Sequence, residues 1–194
     1  AIATFHGEVV SAKPFSKPYN LFAKLFLGRM KRIIATSPNI AETAPLLRLF
    51  RHKVTVIPLG IDPPVLFAAN RTSLFPKGVH PKLLFVGRLA AVKGLPILLE
   101  AMARLPQVIL EIIGDGPDRV WLEKRAADLG VADRVCFAGY QDQDAVRRAL
   151  ETTDIFVMAS FAEGVPVVLM EALASGVAAV ATRVAGVSEL IEHE

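Results

Sequence analysis

Four short stretches of this 194-residue chain carry residue types and spacings that could do chemistry. The first is VGRLAAVKG, residues 86–94, where Arg88 and Lys93 follow Gly87. A glycine lets the backbone turn closely, and two cations between a strand end and a helix start can hold a diphosphate. The spacing matches neither a Walker A loop nor G-x-G-x-x-G, and a basic loop beside a helix is common without such a role. The second is EGVPVVLME, residues 163–171. Pro166 fits the first turn of a helix. The backbone N–H groups of Gly164, Val165, Val167 and Val168 then cluster at the helix start, where they bind anions and hydroxyls.

Glu163 and Glu171 bracket that start, about 12 Å apart if every residue between them were helical. That does not suggest a paired general acid and base. Carboxylates accept hydrogen bonds from vicinal hydroxyls. Two of them, separated by phosphate-binding amides, suit a nucleotide sugar, with one on the sugar and one on the ribose. The plainer reading of Glu171 as a solvated helix residue is weakened by its apolar neighbours. The third stretch is IIGDGPD, residues 112–118, whose glycines serve a turn. A structural role is favoured there, with Gly114 a candidate lining residue. The fourth, FAGYQDQD, residues 137–144, holds a D-x-D pair at Asp142 and Asp144. Carboxylates just ahead of a helix favour its positive end, so capping is the stronger reading and no metal is expected.

The elements that must position these residues alternate along the chain. Strands are expected at residues 2–5, 32–36, 54–57, 82–86, 108–113, 135–138, 155–158 and 178–181. Helices are expected at 19–30, from 38 to about 50, and at 95–104, 118–129, 145–151, 166–175 and 187–192. Ser37 reads as a cap and Pro38 as the first helical residue. Strands bare of polar residues between helices imply a parallel sheet covered on both faces, hence a doubly wound α/β domain over residues 82–194. Residues 1–60 read as part of another such domain. Residues 61–81, with four prolines and little periodicity, read as a linker.

Composition bounds the rest. The chain is 53% hydrophobic with mean hydropathy +0.44, enough for a sizeable core. The longest run without a charged residue is eleven residues, 172–182, short of the about 20 that span a bilayer. No signal peptide is recognisable, and without an initial Met the chain reads as starting within a longer protein. The single cysteine, Cys136, fits a reducing compartment, and a small buried apolar role is expected of it. Net charge is +3, but no acidic residue lies between Glu8 and Glu42, where six Lys and Arg interleave with Leu21, Phe22, Leu25, Phe26 and Met30. For the apolar residues, an ordinary helix packed on a sheet is favoured. For the basic excess of residues 13–32, a solvated face and a contact with an anionic membrane surface or lipid-linked acceptor stand level. No nucleic-acid-binding module is recognisable.

The ordered set VGRLAAVKG, IIGDGP, FAGY, SFAEGVPVVLMEALASG and AGVSELI resembles the C-terminal domain of GT-B glycosyltransferases of the group-1 type, glycosyltransferase family 4. EGVPVVLME matches that family's E-x7-E motif. ATFHGE, RIIATSPN and VTVIPLGID resemble parts of its N-terminal domain, so the resemblance covers essentially the whole chain. It implies a GT-B fold with a Rossmann-like C-terminal domain plus part of an N-terminal one. It also implies retaining, metal-independent transfer of a sugar from a nucleotide diphosphate, UDP or GDP, to a saccharide or lipid-linked acceptor. The setting implied is bacterial surface or exopolysaccharide assembly, in the cytoplasm or at the inner face of the cytoplasmic membrane.

By that resemblance, Arg88 and Lys93 hold the diphosphate and stabilise the leaving group, and Glu163 binds the donor sugar. The amides of Gly164 and Val165 assist Glu163. Those of Val167 and Val168 touch phosphate, and Glu171 accepts the ribose hydroxyls. Gly87 and Gly114 line the nucleotide cleft, and backbone around Tyr140 and Gln141 meets the base. His6 reaches the donor sugar; its plainer reading is a strand-end histidine. Strands that normally precede the histidine, and the usual last strand and helix, are not in the sequence, so a fragment with an incomplete acceptor site is expected. Ala178 stands where a proline is common, with little effect expected. A sugar-nucleotide epimerase on the same fold and a nucleotide-binding module without turnover are the alternatives.

Overall fold

The computed structural model describes residues 1–6, 16–61 and 80–191. Most of the expected linker, residues 62–79, and Lys13 at the head of the basic segment lie outside the described residues. The chain divides into two compact units, Ala1–Gly60 with Glu163–Pro166 and Arg183–Glu194, and Ile61–Ala162 with Val167–Thr182.

The first unit is built on a parallel sheet in the order β1 (Ile2–Phe5), β2 (Arg32–Ala35), β3 (Val54–Val56). Helices α1 (Ser16–Arg29), α2 (Pro38–Thr43) and α3 (Pro45–Arg48) connect the strands. Ser37 caps α2 as expected, its hydroxyl accepting from the Ile40 amide at 3.1 Å. The single helix expected from residue 38 to about 50 is instead two. A residue before proline avoids the helical region, and Ala44 before Pro45 takes φ −65°, ψ 116°. Leu27, Ile33, Ala35, Ile40, Ala44 and Leu47 form the core of this unit.

The expectation of an ordinary packed helix fails for most of α1. Leu27 is buried, but Leu21, Phe22, Leu25 and Phe26 are exposed, and Phe22 stacks on Phe26 with ring centroids 6.5 Å apart. Among the described side chains of this helix, Leu27 is the one that reaches the small core of the three-stranded sheet.

The second unit holds a five-stranded parallel sheet in the order β6 (Val135–Gly139), β5 (Ile109–Ile113), β4 (Lys82–Val86), β7 (Ile155–Met158), β8 (Ala178–Ala181). The helices between are α4 (Leu95–Ala103), α5 (Arg119–Asp128), α6 (Gln143–Glu151) and α7 (Val167–Ala174). Right-handed crossovers put α4 and α5 on one face and α6 and α7 on the other. Side chains alternate along a strand, so both faces must be apolar. On β4, Leu83 and Phe85 join the core under α4 and α5, while Leu84 between them is fully buried too. Burying a side chain of that size is worth about 1.5–3 kcal/mol.

Two expectations change here. Cys136 is exposed, because β6 is an edge strand. The last short helix is a 3₁₀ turn at Ala185–Glu189, not a helix over 187–192.

A tight backbone approach lies at Gly94, between the 3₁₀ turn Ala91–Lys93 and α4. Its φ is +64°, and a Cβ there would strike the Ala159 carbonyl. Gly94→Ala is expected to cost about 2–3 kcal/mol, lowering the thermal midpoint by roughly 4–12 °C. An unchanged midpoint in a calorimetric scan would refute the tight approach.

Candidate functional site

The strand order points to a candidate nucleotide crevice in the second unit. From β4 the chain winds outward through β5 to β6, then returns to place β7 on the other side of β4. The connections leaving the carboxyl ends of β4 and β7 therefore diverge, and a crevice opens between them. Residues 87–94 form one wall and residues 159–162 the other. The walls are tied together where the Phe161 amide donates to the Val92 carbonyl at 2.8 Å.

Gly87 extends β4 by donating to the Ile113 carbonyl at 2.9 Å. Leu89 is fully buried; its amide donates to the Asp115 carbonyl and its own carbonyl accepts from Asp118. The loop is thus pinned to the end of β5, leaving Arg88 exposed. The Lys93 stem folds back, its Cε lying 3.9 Å from where a Gly87 Cβ would stand. A bare backbone and a lysine stem therefore share one corner of the crevice.

Gly114 has φ +133°, and a Cβ on it would strike the Gly87 carbonyl. Its amide donates to the Gly139 carbonyl at 2.7 Å. The ends of β4, β5 and β6 are drawn together there, which is the structural role favoured for this turn. Beyond β6, Tyr140 is 81% exposed. Gln141 is half-buried, its side-chain amide donating to the Ala138 carbonyl at 3.0 Å. Arg119 donates to the Phe137 carbonyl at 3.3 Å and pairs with Glu123 at 2.9 Å. Both side chains brace the segment that carries Tyr140.

Asp142 caps α6, its Oδ1 accepting from the Ala145 amide at 2.8 Å. Asp144 lies in the first turn and pairs with Arg147 at 3.7 Å. Helix α7 begins at Val167, exposed, and Val168, half-buried. Leu169 and Ala172 face the core, and Glu171 is half-buried. Its Oε1 accepts a hydrogen bond from the Gln143 side-chain amide.

The other predicted residues belong to the first unit. His6 is exposed at the end of β1. A Cβ on Gly164 would lie 2.7 Å from the His6 carbonyl, and one on Gly186 would strike the Gly164 carbonyl. Glu163 and Val165, both half-buried, flank Gly164. The Glu189 Oε1 accepts from the Asn39 amide at 3.0 Å. His6 at the end of β1, EGVP and AGVSE, distant in sequence, thus meet through backbone. Gln143, Arg119 and Glu189 were missed in the sequence. A single amide or ion-pair partner leaves no periodicity or spacing to read.

A second cleft lies between α4 and α5, lined by Pro96, Glu100, Trp121, Lys124, Arg125 and Asp128. Arg125 crosses it to Glu100 at 2.9 Å. It is made from helix flanks rather than strand ends.

Residues 68–194 match the family model described as glycosyl transferases group 1. The chain belongs to this family. Among curated relatives it is 38% identical over 154 residues to the lipopolysaccharide core biosynthesis glycosyltransferase LpsE of Rhizobium meliloti, covering 79% of this chain and 44% of that protein. It is 32% identical to the D-rhamnosyltransferase WbpZ of Pseudomonas aeruginosa, covering 75% and 39%. The chain thus spans less than half the length of these relatives. Among solved structures, Anabaena HepE in complex with UDP-glucose superposes with a TM-score of 0.80 at 25% identity, covering 99% of this chain and 56% of that one. Sucrose-phosphate synthase from Thermosynechococcus elongatus gives 0.82 at 27% identity, covering 98% and 52%. These neighbours agree with the α/β, parallel-sheet architecture of a GT-B glycosyltransferase.

The cap makes its own prediction. Asp142→Ala is expected to destabilise by about 1 kcal/mol, against under about 0.5 kcal/mol for Asp144→Ala. Denaturant unfolding of both variants measures the difference, and equal effects would contradict the assignment.

Proposed function

We propose that the full-length protein is a retaining glycosyltransferase that moves a sugar from a nucleoside diphosphate, UDP or GDP, to an acceptor hydroxyl in polysaccharide or lipopolysaccharide assembly. The observation that carries the reading is the corner at the switch point, where the Lys93 stem folds over Gly87 and Arg88 stands exposed beside it. Family membership supports it, and so does the UDP-glucose held by the structural neighbour.

In this reading Arg88 and Lys93 bind the diphosphate, with Gly87 and Gly114 leaving room for it. The amides of Val167 and Val168 add donors at the start of α7, and Glu171 accepts the ribose hydroxyls. Backbone at Tyr140 and Gln141 meets the base. Glu163 binds the donor sugar with the Gly164 and Val165 amides, and His6 reaches the same sugar.

Transfer breaks the bond between the anomeric carbon and the diphosphate oxygen. The acceptor oxygen bonds the same carbon from the same face, and its proton passes to the departing diphosphate. Charge grows on that leaving group, so fixed cations beside it contribute most of the catalysis. No metal is required in this account.

Calorimetry on the full-length protein tests the site. Lys93→Ala and Glu171→Ala are each expected to weaken UDP or GDP binding about tenfold, the worth of one charge-assisted hydrogen bond. Native affinity in both variants would sink the assignment. Transfer from radiolabelled nucleotide sugars, with the anomeric configuration of the product read by NMR, separates retention from inversion and transfer from epimerisation.

The protein is further proposed to sit peripherally at the cytoplasmic membrane face and meet a lipid-linked acceptor there. Exposed Leu21, Phe22, Leu25 and Phe26 lie among Lys24, Arg29, Lys31 and Arg32, an apolar and cationic combination suited to anionic lipid. Among the described residues no helix is long and apolar enough to cross a membrane. The full-length protein is expected to co-sediment with phosphatidylglycerol vesicles at low salt, and Phe22→Ser with Phe26→Ser to abolish this. Equal recovery with neutral vesicles would refute a charge-selective contact.

A further inference from the structure

Glu171 is not a lone carboxylate. Its Oε1 is held by the side-chain amide of Gln143, 28 positions earlier in the chain. Among the described residues its other oxygen makes no hydrogen bond, so one acceptor is committed and the other is presented.

Gln143 is well placed to do this. It is the first residue of α6, directly after the cap, and the Asp142 bond to the Ala145 amide fixes that turn without it. Gln143 is exposed, so its side chain contributes little to the core. Glu171 stands on α7, whose Leu169 and Ala172 anchor the helix in the sheet's covering layer. The hydrogen bond therefore links two helices on the same face, each held by its own packing.

A carboxylate on a glutamate turns easily about its last torsion. A turning carboxylate follows whichever hydroxyl a ligand offers and discriminates poorly. One pinned by a neutral amide keeps its plane and its remaining acceptor direction, so the ligand must supply hydroxyls in the matching positions. Ordering that side chain beforehand also removes a cost that binding would otherwise carry.

We infer that Gln143 is a positioning residue that holds the Glu171 carboxylate in register with the vicinal ribose hydroxyls, making the site selective for ribonucleotides over 2′-deoxyribonucleotides. The inference rests on the proposed ribose role of Glu171 and goes beyond it by naming the residue that makes the role selective. Gln143 touches no reacting atom; it acts through Glu171.

The experiment is calorimetry on the full-length protein with UDP and 2′-deoxy-UDP, or GDP and 2′-deoxy-GDP if guanine is the base bound. The native protein is expected to prefer the ribonucleotide by about tenfold or more, the scale of one hydrogen bond to a charged group. Gln143→Ala should weaken ribonucleotide binding roughly fivefold and leave 2′-deoxyribonucleotide binding nearly unchanged, collapsing the preference. Glu171→Ala should abolish the preference, and adding Gln143→Ala to it should change nothing further. Gln143→Glu, which sets a second carboxylate against the first, should bind the ribonucleotide more weakly than Gln143→Ala. A native preference in Gln143→Ala, with the preference lost in Glu171→Ala, overturns the inference and leaves the ribose role standing. A native preference in Glu171→Ala overturns the ribose role itself. Equal weakening of both nucleotides in Gln143→Ala would mark a general packing effect and also overturn the inference.

Discussion

The structure depends on one reversal of winding. The chain lays β5 and β6 to one side of β4 and then returns to place β7 on the other. Strand ends that feed helices on opposite faces cannot close over each other, so a crevice is left. Its walls still have to be held at a fixed spacing, and backbone does this. Gly94 admits the Ala159 carbonyl, and Phe161 donates to Val92. Arg88 stays exposed, and Lys93 can lie over Gly87.

Backbone contact between distant segments recurs in the first unit. His6, Gly164 and Gly186 meet through carbonyls pressed against glycines that have no room for a Cβ. The EGVP segment therefore belongs to one compact unit while Val167 opens a helix of the other. The two glutamates of the E-x7-E motif are separated in the same way. Glu163 stands beside the backbone cluster at the end of β1, and Glu171 beside Gln143 on the helical layer. Their proposed roles, donor sugar and ribose, are divided along the same line.

Much of this was legible in the sequence, and for identifiable reasons. Every strand among the described residues lies within a residue or two of where the sequence puts it, because apolar runs such as KLLFV and IFVM bounded by turns have few alternatives in a parallel sheet. The D-x-D pair reads as a cap, and Asp142 is one. What was misread depended on neighbours. Cys136 reads as core from the sequence, but β6 is an edge, and the helix after Ser37 reads as continuous although Pro45 breaks it. The apolar residues of α1 were expected on a sheet, yet four of them are exposed in this chain. Gln143 carried no signal, since one amide opposite one carboxylate is invisible without the fold.

The central claim is that the switch-point crevice binds a nucleoside diphosphate. A titration of the ¹⁵N-labelled full-length protein with UDP and with GDP, followed by amide chemical shifts, tests it most directly. The account predicts that at least one of the two shifts the amides of Gly87, Lys93, Val167 and Val168 first and most, with the α4–α5 cleft around Trp121 unchanged. Shifts centred on Trp121 and Lys124, with Gly87 and Lys93 unmoved by either nucleotide, would contradict it.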